Sequence, residues 1–400
     1  IHLYGSNYNV LINNAINNSS VGIYLSNYAS HNTIYGNIIE YNNASGVELQ
    51  SSFNENNISN NTIRFNQAHG VLLTSSTNNI ICENEIYLNT EDGLCLSSSD
   101  INLITNNFIW GNANGIHLLL SGGTGNTIMN NTIYSNVNHG IFLENSRAAT
   151  AGNNQINENA IYSNGGNGIY LLSSNINSLQ DNTIYANTLD GISLNSSDSN
   201  TVAGNEIYGN TGNGLSFYIS GSNDIQSNNI SFNLENGISI FQSSQGDSFP
   251  LQDNLIWNNS GAGVYINSSS SNYFIHNIIW NNSCGVNMTQ SSTSNEIREN
   301  NITTNGRGIF VGAPDCSNNK FYNNNFINNT LYLSRQAYDI GGNDWDGGYA
   351  SGGNYWSDYD GNDTTGPGGT PDGIGDTPYT IAPSSVGNVD QFPLVTPKSW

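Results

Sequence analysis

The chain has few charged residues and almost no basic ones. Only 9% of its 400 residues are charged, with 7 Lys and Arg against 30 Asp and Glu, which gives a formal net charge of −23. A typical globular chain carries about 25% charged residues. An acidic surface of this kind repels phosphate backbones and anionic lipid, so the composition argues against nucleic-acid binding and favours cations as partners.

Long apolar runs and clustered cysteines are also missing from the sequence. No run of about 18 apolar residues occurs, so we expect no membrane span in this segment. The four cysteines, Cys82, Cys95, Cys284 and Cys316, lack the C-x-x-C spacing of a zinc site. This spacing is compatible with scattered thiols or with one or two disulfides.

A short repeat dominates the sequence. A Gly followed by an aliphatic residue recurs at intervals of about 23 residues. The repeat glycines are Gly22, Gly46, Gly70, Gly93, Gly115, Gly140, Gly168, Gly191, Gly214, Gly237, Gly263, Gly285 and Gly308. Each unit continues with a Ser- and Asn-rich turn and two Asn-x-Ile motifs, and Asn recurs at one position of every unit from Asn14 to Asn324.

The spacing within one unit indicates three very short β-strands. Apolar residues lie two apart, as in Ile192 and Leu194, which is typical of strands. Strands of about three residues cannot form a sheet alone, so each must pair with the same strand of the next unit. This predicts an all-β, right-handed, three-sheet parallel β-helix of about 13–14 coils over residues 1–335. The asparagine at the corner before a strand would link coils through its side-chain amide and tolerate a left-handed backbone.

The repeat Gly-aliphatic-x-aliphatic with Asn-x-Ile-x-x-Asn-x-Ile resembles those of the pectin-lyase-like superfamily. It is most similar to the repeats of NosD-like proteins and their archaeal surface relatives. The resemblance covers roughly residues 1–335 and implies the β-helix fold. Because that scaffold carries lyases, hydrolases, tailspikes and purely structural proteins, the resemblance leaves the activity open.

Residues 336–400 have a different composition, rich in Asp, Gly, Tyr and Trp, and we predict that they form a capping segment. Its motifs resemble the terminal element of archaeal NosD-like surface proteins, which implies an extracellular location at the cell surface. These motifs are Gly353-Asn354-Tyr355-Trp356-Ser357-Asp358-Tyr359, Asp372-Gly373-Ile374-Gly375-Asp376-Thr377-Pro378-Tyr379 and Val389-Asp390-Gln391-Phe392-Pro393-Leu394. Six aromatic residues could cover the last coil, namely Trp345, Tyr355, Trp356, Tyr359, Tyr379 and Phe392.

The aspartates of the capping segment have two interpretations. Asp residues separated by glycines resemble loops that wrap calcium; the alternative is that they form turns. The candidate calcium ligands are Asp358, Asp360, Asp363, Asp372 and Asp376.

One repeat position collects candidate catalytic groups. Just before the second corner Asn, adjacent coils place Glu158 beside Asp181, and three successive coils align Asp253, His276 and Glu299. Paired carboxylates about 5–9 Å apart are what glycoside hydrolysis needs. Against this, 30 acids in 400 residues will adjoin by chance, and the only neighbouring basic residue is Arg298. We therefore favour a non-enzymatic protein.

A second position is almost continuously aromatic. If these rings are exposed, they offer a strip for sugars or for packing between copies of the chain; the alternative is a ladder that only stabilises a corner. The strip consists of Tyr87, Trp110, Tyr134, Tyr162, Tyr185, Tyr208, Trp257 and Trp280.

The NosD resemblance would imply copper, which prefers convergent His, Met or Cys ligands. His69 and His139 share a repeat position but lie three coils apart, so we expect no convergence and predict no copper site. The sequence thus predicts an extracellular structural protein of the envelope, S-layer or sheath that associates with copies of itself and contacts cell-envelope polysaccharide. The alternative is a protein that binds or cleaves polysaccharide.

Overall fold

We describe a computed structural model, which covers residues 1–51, 55–121, 124–146, 154–246, 249–366 and 370–399. Within these ranges the chain forms strands and turns, with no helix long and apolar enough to cross a membrane. The chain divides into two compact units, Ile1–Glu206 and Ile207–Trp400. Each unit is built from coils of three strands, and the predicted all-β parallel β-helix is confirmed.

We call the sheets formed by the first, second and third strand of each coil sheet A, sheet B and sheet C. In the first unit the sheet A strands are His2–Tyr4, Ile23–Ser26, Val47–Gln50, Val71–Thr74, Leu94–Ser97, Ile116–Leu119, Ile141–Glu144, Ile169–Leu172 and Ile192–Asn195. Those of sheet B are Val10–Ile12, Thr33–Tyr35, Asn57–Ser59, Ile80–Cys82, Leu103–Thr105, Thr127–Met129, Gln155–Asn157, Ser178–Gln180 and Thr201–Ala203. Those of sheet C are Ala15–Asn17, Ile38–Glu40, Thr62–Arg64, Glu85–Tyr87, Phe108–Trp110, Thr132–Tyr134, Ala160–Tyr162 and Thr183–Tyr185. The strand Glu206–Tyr208 contains the boundary between the units.

The second unit repeats this arrangement. Its sheet A strands are Leu215–Tyr218, Ile238–Phe241, Ala262–Asn267, Cys284–Thr289, Ile309–Val311 and Ala337–Asp339. Sheet B has Asp224–Gln226, Leu251–Gln252, Tyr273–Ile275, Glu296–Arg298 and Lys320–Tyr322, and sheet C has Asn229–Ser231, Leu255–Trp257, Ile278–Trp280, Asn301–Thr303, Asn325–Ile327 and Tyr355–Trp356. Two short strands, Tyr379–Thr380 and Val389–Asp390, pair antiparallel outside these sheets.

The register places equivalent residues of successive coils directly side by side. Ile86 pairs with Ile63 on one side and with Ile109 on the other, and all three side chains are fully buried. The repeat glycine allows this close stacking. A Cβ atom on Gly46 would lie 2.6 Å from Ile63 Cγ2 and 2.8 Å from Gly70 O, so a side chain would collide with the coil interior.

The corner asparagines form hydrogen-bonded ladders between coils, as predicted. The backbone N–H and side-chain amide of Asn84 both donate to Asn107 Oδ1 of the next coil, each at 3.0 Å, and the amide also donates to Ile58 O of the preceding coil at 2.8 Å. The expectation that these asparagines take the left-handed backbone is wrong. The residue just before each one does, for example Glu83 with φ 57° and Asn106 with φ 56°, because the chain turns there before the amide enters the coil.

Aromatic rings close the last coil of the second unit. Trp356 stacks on Phe326 with ring centroids 4.2 Å apart, and Tyr379 stacks on the other face of Trp356 at 4.2 Å. Trp345 packs against Phe321 at 4.3 Å. Trp345, Trp356 and Tyr379 are buried, whereas Tyr355, Tyr359 and Phe392 are half-buried. The division of the chain at residue 335 remains a prediction, although the last strands of sheets A and C follow that residue.

Candidate functional site

The acidic candidates lie at the left-handed corners. Glu158 and Asp181 have φ values of 57° and 54°, Asp253 and His276 of 56° and 57°, and Glu299 of 59°. Among residues other than Gly, Asn, Asp and His tolerate this conformation best, so backbone geometry by itself accounts for much of this column. Both Glu158 and Asp181 are exposed, at equivalent corners of successive coils.

The second group of acidic candidates does converge, as an ion-pair ladder. His276 Nε2 lies 2.9 Å from Glu299 Oε2, and His276 Nδ1 lies 3.7 Å from Asp253 Oδ1. Arg298 Nη1 lies 2.8 Å from Glu299 Oε1. Glu299 therefore lies between the Arg298 guanidinium and the His276 imidazole. Asp253 and His276 are exposed, and exposed pairs of this kind contribute little to stability.

The aromatic strip forms stacked ladders on the outer face of sheet C. In the first unit the ring centroids are separated by 4.2 Å from Tyr87 to Trp110, 5.6 Å from Trp110 to Tyr134 and 5.1 Å from Tyr134 to Tyr162. Tyr162 and Tyr185 follow at 4.8 Å, and all four pairs lie within 12° of parallel. In the second unit Trp257 and Trp280 stack at 5.0 Å, and Tyr208 is half-buried. Because each ring covers the faces of its neighbours, mainly ring edges remain for a partner.

The aspartates of the capping segment accept hydrogen bonds within their own loops. Asp363 accepts from the backbone N–H groups of Asp372 and Gly373 at 3.1 and 2.8 Å. Asp376 accepts from the hydroxyl and N–H groups of Thr364 and Thr365, and the hydroxyl hydrogen bonds lower its pKa to about 2.

The remaining aspartates of this set have separate surroundings. Asp358 accepts from Gln336 and Tyr379, Asp372 accepts from Ile374 N and Tyr349 Oη, and Asp360 is exposed. These contacts are those of turn-forming aspartates. Calcium binding therefore remains a prediction, and residues 367–369 of the intervening loop lie outside the described residues.

A further cluster, which the sequence analysis did not identify, lies on the outer face of sheet A in the first unit. Ligand atoms of His69, Asp92 and Cys95 all lie within 4.8 Å of one another. Asp92 Oδ2 is 3.6 Å from His69 Nδ1 and 3.1 Å from His117 Nδ1. The expectation that histidine and cysteine do not converge is therefore wrong. We call His69, Asp92, Cys95 and His117 the sheet A cluster.

Three successive coils build the sheet A cluster. His69 and Asp92 each precede a repeat glycine, while Cys95 and His117 are the second residues of paired sheet A strands. Positions one before and two after the repeat glycine share the outer face. The signal in the sequence is divided between these two repeat positions, and either position alone shows no group of ligands.

Burial and charge act in opposite directions within the cluster. Burial lowers the pKa of His69 despite the nearby carboxylates of Asp92 and Glu91. Burial raises the pKa of Asp92, whereas hydrogen bonds from His117 and Asn114 and the charge of the histidines lower it. The lowering contributions together are larger, so the net shift of the pKa is downward. Burial, together with Asp92 and Glu91, raises the pKa of the Cys95 thiol to about 12. All four cysteines are free thiols.

Comparison with known proteins gives two family matches. Residues 1–139 and 247–361, more than half of the chain, match the family model described as periplasmic copper-binding protein (NosD). Residues 149–279 match the right handed beta helix region. A search of curated proteins finds no significant match.

Several solved structures are similar at low sequence identity. The A-module of the mannuronan C-5 epimerase AlgE6 of Azotobacter vinelandii is 15% identical, with 84% of this chain and 88% of that chain covered and a TM-score of 0.46. A mutant of the periplasmic alginate epimerase AlgG is 17% identical, with 71% and 78% covered and a TM-score of 0.40. The Dettilon tailspike protein is 15% identical, with 80% and 60% covered and a TM-score of 0.41.

Proposed function

We propose that this chain, which belongs to the NosD family of β-helix proteins, is a non-enzymatic structural protein of the cell envelope, in which copies associate side by side at the cell surface. The description of the family as periplasmic supports a location outside the cytoplasm. Contact with envelope polysaccharide would be secondary, through ring edges, amides and hydroxyls.

The observation that carries this proposal is an apolar face on sheet C of the first unit. Next to the stacked rings of Tyr87 and Trp110, the side chains of Phe108 and Leu88 are 51% and 48% exposed. Tyr41, 53% exposed, extends the patch by stacking on Phe65. Contiguous exposed apolar surface of this kind is typical of an interaction site. We call these six residues the sheet C patch.

Charge favours a second copy as the partner at this patch. Two chains that each carry a formal net charge of −23 repel one another over most of their surfaces. The six residues of the sheet C patch are uncharged, and the nearby Arg64 is paired with Glu40 at 2.8 Å. One exposed acid, Glu85, lies at the margin of the patch as the register partner of Phe108, so two copies would meet with their uncharged rings in contact and Glu85 at the rim.

Sedimentation velocity and electron microscopy of designed variants test the proposal. The double variant Phe108→Glu with Leu88→Glu places two charges in the patch without altering the coil interior. A matched control, Leu120→Glu with Ile176→Glu, adds the same charge at exposed apolar corners elsewhere in the first unit. We expect wild type and control to form dimers and the patch variant to remain monomeric.

Two results would overturn this function. Wild-type protein that stays monomeric at high concentration would exclude self-association. A patch variant that assembles as readily as the control would exclude this face as the interface. Melting temperatures equal to that of wild type would establish that both variants are folded.

A further inference from the structure

We propose that the sheet A cluster is a binding site for a thiophilic transition-metal ion, held by His69 Nδ1, Asp92 Oδ2, Cys95 Sγ and His117 Nδ1. Two nitrogens, one oxygen and one sulfur form a donor set that suits Zn²⁺ or copper, whereas Ca²⁺ and Mg²⁺ prefer oxygen ligands alone. This site is independent of the sheet C patch and of lateral association.

The first argument is the spacing of the ligand atoms. Bonds of about 2.0–2.3 Å to a tetrahedral ion place the ligand atoms about 3.3–3.8 Å apart. Asp92 Oδ2 already lies 3.1 Å from His117 Nδ1 and 3.6 Å from His69 Nδ1, and Cys95 Sγ falls within 4.8 Å of His69 and Asp92 ligand atoms. Small side-chain rotations would therefore bring His69, Asp92 and Cys95 to ligand distances, and His117, which contacts Asp92 but lies outside this group of three, would complete the tetrahedron after a larger movement.

The second argument is that both histidines are oriented in the same way. Each directs Nδ1 toward Asp92 and Nε2 toward a glutamate, with His69 Nε2 2.9 Å from Glu91 Oε2 and His117 Nε2 3.4 Å from Glu144 Oε2. Histidines that bind metals almost always donate the opposite ring N–H to a carboxylate or carbonyl, which fixes the tautomer. Glu91 and Glu144 occupy those positions here.

The third argument is that the cluster is buried and contains one ring nitrogen without a hydrogen bond. Asp92 is only 6% exposed, its Oδ1 accepts from the Asn114 amide at 2.7 Å, and its Oδ2 lies 3.1 Å from His117 Nδ1. His117 Nε2 is buried and makes no hydrogen bond, although Glu144 Oε2 lies 3.4 Å away. Once a metal occupies Nδ1 of His117, the ring proton belongs on Nε2, where Glu144 can accept it.

Binding would release one proton from the Cys95 thiol to solvent, since the thiolate is the ligand. The ion would also replace the backbone N–H of Asp92 at His69 Nδ1, which now accepts it at 3.2 Å. No change in the oxidation state of Zn²⁺ or Co²⁺ is required.

Titration of the purified full-length chain with Co²⁺, Zn²⁺ and Cu⁺ in separate experiments tests the site. We expect one equivalent of Co²⁺ to produce a near-ultraviolet thiolate charge-transfer band, and Zn²⁺ to displace Co²⁺ and raise the melting temperature. Cys95→Ser should abolish the band, and Asp92→Asn should weaken Zn²⁺ affinity at least tenfold. Glu91→Gln should weaken Zn²⁺ affinity by about 10–100-fold, because Glu91 contacts His69 Nε2, the ring nitrogen that does not bind the metal.

Matched controls use a thiol and an imidazole outside the cluster. Cys82→Ser removes another cysteine of the same unit, and His139→Gln removes a histidine that also precedes a repeat glycine. Both variants should bind as wild type does. The proposed site would be overturned if none of the three ions bound stoichiometrically to wild type. It would also be overturned if Cys95→Ser and Asp92→Asn bound the ions as tightly as wild type does. Melting temperatures measured in chelator identify any variant that fails to fold.

Discussion

The substitution Asn107→Ala tests whether the internal asparagine ladders hold the coils together. Asn107 Oδ1 accepts from the backbone N–H and the amide of Asn84, each at 3.0 Å. The Asn107 amide donates to Ile81 O at 2.9 Å and to Asn131 Oδ1 at 3.0 Å. The side chain thus joins three successive coils, and it is almost completely buried.

The magnitude follows from which groups lose a partner. The buried N–H of Asn84 would lose its acceptor, at a cost of about 1–3 kcal/mol, and the bonds that Asn107 donates to Ile81 O and Asn131 Oδ1 in the neighbouring coils would each cost about 0.5–1.5 kcal/mol. We therefore expect the free energy of unfolding to fall by about 2–6 kcal/mol. Asn138→Ala, at an exposed asparagine of the same unit, should change it by less than about 0.5 kcal/mol.

Urea unfolding with hydrogen exchange as a second readout makes the comparison. Since the contacts of a repeat protein are local, the Asn107→Ala variant should also exchange faster at the amides of the adjoining coils, including Asn84. If the two alanine variants unfold at the same urea concentration, the ladder does not stabilise the fold and the reasoning is refuted.

Three further predictions concern other parts of the chain. Gly46→Ala should lower the melting temperature, because its Cβ would lie 2.6 Å from Ile63 Cγ2, and an unchanged value would contradict the close-packing argument. Burial raises the pKa of the Asp390 carboxyl to about 7, although hydrogen bonds from the N–H groups of Asn354, Trp356 and Phe392 act to lower it. Since this folded-state pKa lies above the unfolded value of about 4, stability of the capping segment should fall as pH rises from 4 through 7. Trp356 fluorescence during unfolding should follow that loss in wild type but not in Asp390→Asn. Ca²⁺ should raise the melting temperature of wild type but not of Asp363→Asn, and no effect on wild type would contradict the calcium prediction.

The repeat predicts the fold well because each sequence position recurs in the same environment. Ile192 and Leu194 lie two residues apart, which predicts that both side chains face inward, as they do. The recurring corner Asn predicts a buried side-chain amide that must form hydrogen bonds with adjacent coils. Neither inference depends on distant parts of the chain. The register follows directly, since a slip of one residue would expose the isoleucine columns.

Sites that combine different repeat positions were harder to predict. The sheet A cluster needs His69 and Asp92 from one column and Cys95 and His117 from another, and a single column shows only separated histidines. The same limitation applies to the corner acids, since the left-handed backbone at Asp181 cannot be assigned from its residue type alone. In the capping segment, Trp356 contacts Phe326 and Tyr379 because of the way the chain folds back over the last coil, and this part of the sequence has no repeat from which that fold could be predicted.

Lateral association through sheet C is tested most directly by cryo-electron microscopy of assembled wild-type protein at a resolution that separates strands. Our account predicts pairs of copies in which Phe108 and Trp110 of one copy pack against the sheet C patch of the other. Isolated monomers, or assemblies whose copies meet through sheet A or sheet B, would contradict it.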